Sequence, residues 1–258
     1  MLYFTDTQIL EWLSRFWWPF LRIDGLLMAA PLFGAGLVPI RVRILFSAAI
    51  ALMLVPVLPE PPAVTLFSYQ GFLFSLNEIL IGASMGFMVQ MVFEAVVVAG
   101  QTIAMSMGLG FAMMVDQQRG VSVPVISQYF LIIVTLLFLG FNGHLMMFSL
   151  AFDSFQYLPT GFWHLQSSGF LHIAQWGGQM FVHALHIALP AVISLLIVQF
   201  SFGVMSRAAP SLNLFAVGFP VIMVMGFLII QLTLPSLGPN FEAMANDAFD
   251  LISRLYRQ

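Results

Sequence analysis

Hydrophobic positions form long, nearly uninterrupted runs along this chain, and polar residues collect in the short stretches between them. The chain shows no sustained alternation of apolar and polar positions, which is the pattern that predicts strands. Runs of this length predict helices, and about six of them are apolar enough to propose as membrane crossings. The runs cover residues 12–37, 44–58, 69–99, 124–151, 170–203 and 212–235.

Turn-forming residues separate the runs, and they predict where the helices end. We therefore expect an all-α membrane protein of long, partly broken helical hairpins, built as one membrane-embedded domain over residues 1–258. The predicted breaks are Pro39, the stretch 59–62, Gly108 to Gly120, Pro159 to Gly161, and Arg207 to Pro210.

The predicted spans have awkward lengths. As a helix, the run 44–58 would measure about 22 Å and the run 69–99 about 46 Å, against a hydrocarbon core of about 30 Å. This mismatch predicts helices that are broken, tilted or buried in a larger assembly, because irregular backbone at membrane depth needs protein or a water-filled cavity around it.

Composition supports the membrane class. Hydrophobic residues make up 60% of the 258 residues and charged residues 7%, whereas an ordinary soluble domain has about 25% charged residues. The net charge of −3 and the absence of Lys leave no basic patch for nucleic acid. Because the chain has no Cys, disulfides and thiolate metal sites are excluded.

The arginines predict an orientation and an anchor. If there are six crossings, the loops that carry Arg41, Arg43, Arg119 and Arg207 share one side, which the positive-inside rule makes cytoplasmic, with the N-terminus outside. Near the N-terminus, Arg22 follows a Trp-rich cluster, and we expect it to snorkel to the membrane interface.

Ionisable residues inside the apolar runs are candidate pathway residues, because charge is costly at membrane depth. They are Asp24, Glu78, Glu94, His183 and His186. Glu78 and Glu94 would point about 160° apart on one helix, so they predict no acid/base pair. The two histidines have no third ligand nearby, so no metal is predicted.

Polar residues follow one stripe of the third run. Gln90, Glu94 and Gln101 share a helix face, which predicts a subunit interface or a wet lumen, with ordinary interhelical hydrogen bonding as the alternative. In the same run, Gly82-Ala83-Ser84-Met85-Gly86 matches the G-x-S-x-G motif of serine hydrolases. Since it lies inside a long apolar run, small-residue helix packing is the favoured interpretation.

Glycine and methionine concentrate just after this run, where Gly108, Gly110 and four nearby methionines suggest an adaptable apolar loop. Here the chain resembles the FliR family of flagellar export-gate proteins, which is related to the T subunit of virulence type III secretion systems. The residues that carry the resemblance are Pro39-Ile40-Arg41-Val42-Arg43, Gly108-Leu109-Gly110-Phe111-Ala112 with Asp116, Asn142-Gly143-His144, Arg207-Ala208-Ala209-Pro210, Leu212-Asn213 and Val217-Gly218-Phe219-Pro220.

The resemblance implies a non-enzymatic subunit without a cofactor, in the bacterial inner membrane at the flagellar basal body. It implies assembly with FliP and FliQ beside FlhB and FlhA, and passage of unfolded flagellar proteins through the centre. The glycine-rich loop is then a channel plug, and Arg41, Arg43 and Arg207 contact neighbouring subunits or simply set topology. The implied plug residues are Met105, Met107, Gly108, Leu109, Gly110, Phe111, Ala112, Met113 and Met114.

Two other functions stay open on the sequence. A virulence secretion gate would share the resemblance, although Val217-Gly218-Phe219-Pro220 is closer to the flagellar pattern. A multi-span secondary transporter would explain the polar stripe and the intramembrane histidines by a different mechanism.

Overall fold

Helices form all the regular structure in the part of the chain that the computed structural model describes, which is residues 6–34, 38–60, 64–110, 124–160, 167–208 and 214–257. No strand occurs in these ranges, so the all-α prediction is confirmed. The helices are α1 (Asp6–Ala29), α2 (Ile40–Leu54), α3 (Tyr69–Ser106), α4 (Val125–Gly140), α5 (Gly143–Tyr157), α6 (Ser167–Ala208) and α7 (Leu214–Arg257).

Proline and asparagine set several helix boundaries. Pro39 precedes α2 and Pro124 precedes α4, each with extended backbone that a helix cannot continue. Between α4 and α5, Asn142 adopts the left-handed conformation with φ of 59°, and the two helices meet at a bend of 63°. The apolar run 124–151 is therefore two helices rather than one. Asn142 can form the break because Asn adopts the left-handed conformation more readily than most residues.

Among the described residues, fewer than six helices have the length and composition of a single membrane crossing. Helices α3, α6 and α7 are long and apolar enough to cross a membrane, and the bent α4–α5 pair makes up to four spans, judged by length and composition over the described residues. Helix α2 has only 15 residues, and α1 carries Glu11, Arg15, Arg22 and Asp24 among its apolar positions. The orientation inferred from six crossings stays a prediction.

The three long helices exceed the thickness of a bilayer core. They contain 38, 42 and 44 residues, which correspond to about 57, 63 and 66 Å, against a core of about 30 Å. In the most apolar stretch of α3, 61% of the residues are buried within the chain, but only 22% are buried in the corresponding stretches of α6 and α7. Helices α6 and α7 are thus both longer than a bilayer core and largely unburied along their most apolar stretches.

The chain forms two compact units. Unit 1 contains residues 1–91, 142–176 and 245–258, and unit 2 contains residues 92–141 and 177–244. Each of the three long helices contributes one part to each unit.

Unit 1 is built on close contact between α1 and α3. A Cβ atom added at Gly82 would collide with the carbonyl oxygen of Arg22, and one added at Gly86 would collide with that of Leu26. Because the two contacts advance together along both helices, α1 and α3 run in the same direction here. The glycines of the G-x-S-x-G match are therefore packing residues, as favoured from the sequence.

Unit 2 is built on α3, α4 and α7. Phe93 of α3 makes edge-to-face contacts with Phe138 of α4 and Phe241 of α7, with ring centroids 5.2 and 5.3 Å apart. Gly100 lets α4 approach closely, since an added Cβ would lie 2.8 Å from the Cα atom of Ser127. These contacts hold the helices that flank the glycine and methionine segment.

Candidate functional site at the end of helix α3

Helix α3 ends in a Schellman motif centred on Gly108. The Leu109 N–H donates to the Ala104 carbonyl at 3.1 Å, and the Gly108 N–H donates to the Met105 carbonyl at 3.0 Å. Gly108 has a φ of +80°, the left-handed conformation that this motif requires and that glycine adopts without strain. The glycine predicted to interrupt the helix does so at this position, and we call residues Met105–Gly110 the terminal turn.

The last carbonyl groups of α3 all have partners. A helix leaves its final four carbonyls without intrahelical donors, and the Schellman motif satisfies two of them. The Met107 N–H donates to the Ile103 carbonyl at 2.9 Å. The remaining carbonyl, on Ser106, accepts a hydrogen bond of 2.6 Å from Nε2 of Gln199 in α6. The terminal turn is thus anchored by backbone and side-chain bonds together.

Helix α7 packs against the terminal turn. Met107 is fully buried, and a Cβ atom added at Gly226 would lie 2.5 to 2.8 Å from three atoms of its side chain. The ring of Phe219 lies beside Gly108, 3.3 Å from the position of an added Cβ. Gly108 and Phe219, which belong to two of the sequence segments that carry the family resemblance, are therefore neighbours in unit 2.

The terminal turn also presents an apolar side chain to the surface of the chain. Met105 is 59% exposed and, with Val98, Gln101, Thr102 and Ser106, lines an open depression. Leu109 and Gly110 are half-buried. Five of the predicted plug residues are thus brought together, and their plugging role stays a prediction. Phe111, Ala112, Met113 and Met114 lie outside the described residues.

The predicted polar stripe lies on α3. Gln90 is half-buried, whereas Glu94 and Gln101 are exposed, and Gln101 contributes to the depression beside Met105. Helical geometry keeps the three on one face. Their role at a subunit contact or lumen stays a prediction.

The predicted contact arginines lie at helix ends. Arg41 is exposed in the first turn of α2, and Arg207 is exposed in the last turn of α6. Arg43 is half-buried, and its Nε has no hydrogen-bonding partner among the described residues. Their contact with neighbouring subunits, and the alternative that they set topology, both stay predictions.

Arg22 differs from the sequence expectation. It does not snorkel, because its side chain is fully buried in unit 1. Its Nε donates to Oε2 of Glu78 at 2.6 Å, Nη1 donates to Oγ of Ser154 at 3.1 Å, and Nη2 donates to the Leu158 carbonyl at 2.9 Å. The guanidinium also lies 4.2 Å from the ring centroid of Phe155. Glu78 is therefore one half of a buried structural ion pair.

The other candidates for chemistry form no metal or catalytic cluster among the described residues. Asp24 accepts a hydrogen bond from Ser47 at 3.2 Å, and the Ser84 hydroxyl donates to the Ile81 carbonyl of its own helix at 2.7 Å. His183 is half-buried and His186 is exposed on α6. Within the described ranges, no group of three or more His, Cys, Asp or Glu residues is placed to hold a metal ion.

Sequence comparison places the chain among bacterial export proteins. Residues 13–248 match the family described as bacterial export proteins, family 1. The flagellar biosynthetic protein FliR of Pectobacterium carotovorum subsp. carotovorum is 37% identical over 258 residues, which are 100% of this chain and 98% of the relative. FliR of Escherichia coli strain K12 is 36% identical over 253 residues, covering 98% of this chain and 97% of that protein. FliR of Bacillus subtilis strain 168 is 30% identical over 226 residues, with 86% and 87% covered.

This similarity extends along nearly the whole chain rather than over one motif. The matched range contains both the terminal turn and the part of α7 that packs on it. The three apolar helices that are long enough to cross a membrane are consistent with membership of a membrane-protein family. The chain therefore belongs to the FliR family of bacterial export proteins and is a membrane-embedded subunit of the flagellar export apparatus.

Proposed function

We propose that this chain is a structural and gating subunit of the flagellar protein-export channel, through which unfolded flagellar subunits cross the bacterial inner membrane. Its relatives of nearly equal length are named flagellar biosynthetic proteins, which supports the flagellar system over a virulence system. The proposed role is mechanical: the chain catalyses no reaction and needs no cofactor.

The anchored terminal turn is the observation that carries the gating role. A seal has to exclude ions and still yield to a polypeptide, which favours flexible apolar side chains over charged or rigid ones. Met105 and Met107 are such side chains, the first exposed and the second buried against α7. The fully bonded end of α3 gives them a fixed base.

The exposed apolar surfaces of helices α6 and α7 favour assembly with other subunits. Most of their apolar stretches are unburied within the chain, and each helix is about twice as long as a bilayer core is thick. Apolar surface beyond the reach of lipid has to be covered by other protein. We propose that FliP and FliQ cover it, with FlhB and FlhA adjoining and lipid covering the remainder.

Complementation of cells that lack this chain tests the function. Wild-type chain is expected to restore secretion of hook subunits, and the amount of chain that co-purifies with its partners reports assembly. Intact hooks in cells without the chain would reject the export role.

Deletion of residues 108–114 tests gating separately. In gates that still assemble, it is expected to raise the leak of small ions in the absence of cargo. An unchanged leak would reject the plug while leaving the export role in place.

A secondary transporter is less well supported. Two of the ionisable residues that could form a transport pathway, Glu78 and Asp24, are engaged by Arg22 and Ser47. Substrate-specific flux by the isolated chain in liposomes would nevertheless favour the transporter, since a gate subunit is expected to do nothing without its partners.

A further inference from the structure

The tie between Gln199 and Ser106 differs from the other bonds at the end of α3. Three of the last four carbonyls accept bonds from the N–H groups of residues 107–109, so they are satisfied by the local chain. Only the Ser106 carbonyl depends on a distant residue, 93 positions along the chain and on another helix. This bond is therefore the one among the four that ties the end of α3 to another helix.

We propose that Gln199 is a positioning residue that restrains the terminal turn against α6, and that breaking its hydrogen bond allows the turn to move. The α7 contacts at Met107 and Gly108 are apolar and carry no directional bond. In the described part of unit 2, the amide of Gln199 makes the side-chain hydrogen bond that holds the turn to a neighbouring helix.

The strength of the bond suits a restraint that has to be released. A neutral amide-to-carbonyl bond shifts a local equilibrium by roughly three- to tenfold, because water replaces part of its energy when it breaks. A charged partner at this position would hold the turn more tightly, since charge-assisted bonds are about twice as strong. Part-burial of the pair keeps water from competing fully while the bond is intact.

Hydrogen exchange in the assembled gate tests the restraint directly. The amides of Met107, Gly108 and Leu109 are protected only while the terminal turn is formed. Gln199→Met keeps the length of the side chain and removes the donor. It is expected to speed exchange at these amides by roughly three- to tenfold. The matched control is Gln179→Met, because Gln179 is exposed on the same helix and makes no side-chain hydrogen bond within the described residues.

Unchanged exchange in Gln199→Met would overturn the inference. Faster exchange throughout the chain, including helix α1 of unit 1, would also overturn it, since it would indicate general destabilisation. If Gln199→Met lowers the amount of assembled gate, Gln199→Asn takes its place. It keeps the amide but shortens the side chain by one methylene, and it is expected to give the same local acceleration because the amide no longer reaches Ser106.

A prediction for the small-ion permeability of the gate rests on the function proposed above. The restraint of the terminal turn by Gln199 does not depend on that function. If the terminal turn is part of the seal, the small-ion leak without cargo rises by the same factor as the exchange rate. Local acceleration without a change in leak would support the restraint and contradict the proposed gating role. The two ideas can therefore fail separately.

Discussion

The guanidinium of Arg22 and the carboxylate of Glu78 lie 2.6 Å apart, and both side chains are fully buried in unit 1. They come from α1 and α3, and the additional bonds of Arg22 to Ser154 and Leu158 bring α5 into the same network. The buried guanidinium of Arg22 thus joins three elements of unit 1, namely its own helix α1, helix α3 and the C-terminal end of α5.

Loss of either charge in this pair is expected to destabilise the chain. Arg22→Met and Glu78→Met should each lower the free energy of unfolding by about 3–5 kcal/mol, because the remaining charge is buried without a partner. The double variant should recover much of the loss, since it leaves neither charge unpaired. Denaturant unfolding of the purified chain in mild detergent measures the change.

An exposed ion pair in the same unit supplies the control. Arg15 and Glu60 are also 2.6 Å apart, but their side chains are 40% and 81% exposed. Arg15→Met should therefore cost no more than about 1 kcal/mol. A similar cost for Arg15→Met and Arg22→Met would contradict the buried network as the source of stability.

The glycines between α1 and α3 are expected to tolerate no side chain. Gly82→Ala places a methyl group against the carbonyl oxygen of Arg22, which is backbone and cannot rotate away. Separating the helices should cost about 1–3 kcal/mol, as overpacking does in other cores. Thermal unfolding of the same preparation reports the effect.

Gly178→Ala is the matched control for this substitution. Gly178 lies within α6 and has open space where a Cβ would be added. Alanine should therefore be neutral or stabilising by up to about 1 kcal/mol, because it favours a helix over glycine. Equal destabilisation at Gly82 and Gly178 would indicate that helix contact is not the cause.

Features that depend on a single residue could be predicted from the sequence, whereas contacts between residues far apart in the sequence could not. Pro39 and Gly108 mark helix ends through their own backbone preferences, so the sequence predicted both breaks. Arg22 and Glu78 are 56 residues apart, and Gln199 and Ser106 are 93 apart. Their pairing depends on which helices come together, and Gln199 carries no local signal because it is one amide in an apolar run. The six apolar runs also differ from the three or four candidate spans of the described residues, because apolarity alone does not distinguish burial in protein from burial in lipid.

Substitutions at Gly108 should destabilise the terminal turn mainly through backbone strain and less through contact of the new side chain with its neighbours. Gly108→Ala forces a left-handed conformation on an L-residue, at a cost of about 1–2 kcal/mol. Gly108→Asn should cost less, even though Asn is larger, because Asn adopts this conformation more readily. Hydrogen exchange at Leu109 ranks the two variants, and a greater effect of Asn than of Ala would point to contact with Phe219 instead of backbone strain.

The contact between Met107 and Gly226 should appear as coupling in a double-mutant cycle. Met107→Ala removes a fully buried side chain and should cost about 2–5 kcal/mol through the cavity that it leaves. Gly226→Ala should also destabilise, because its new methyl group meets the methionine side chain.

In the double variant, the methyl group enters space that Met107 has vacated, so the combined cost should be lower than the sum by about 0.5–3 kcal/mol. Adding Gly140→Ala to Met107→Ala gives the control, since an added Cβ at Gly140 meets no neighbouring atom. That pair should be additive to within about 0.5 kcal/mol. If the costs of Met107→Ala and Gly226→Ala also prove additive, the contact between these two residues does not hold α7 against the terminal turn. The contact of Phe219 with Gly108 would then be the remaining steric contact between them.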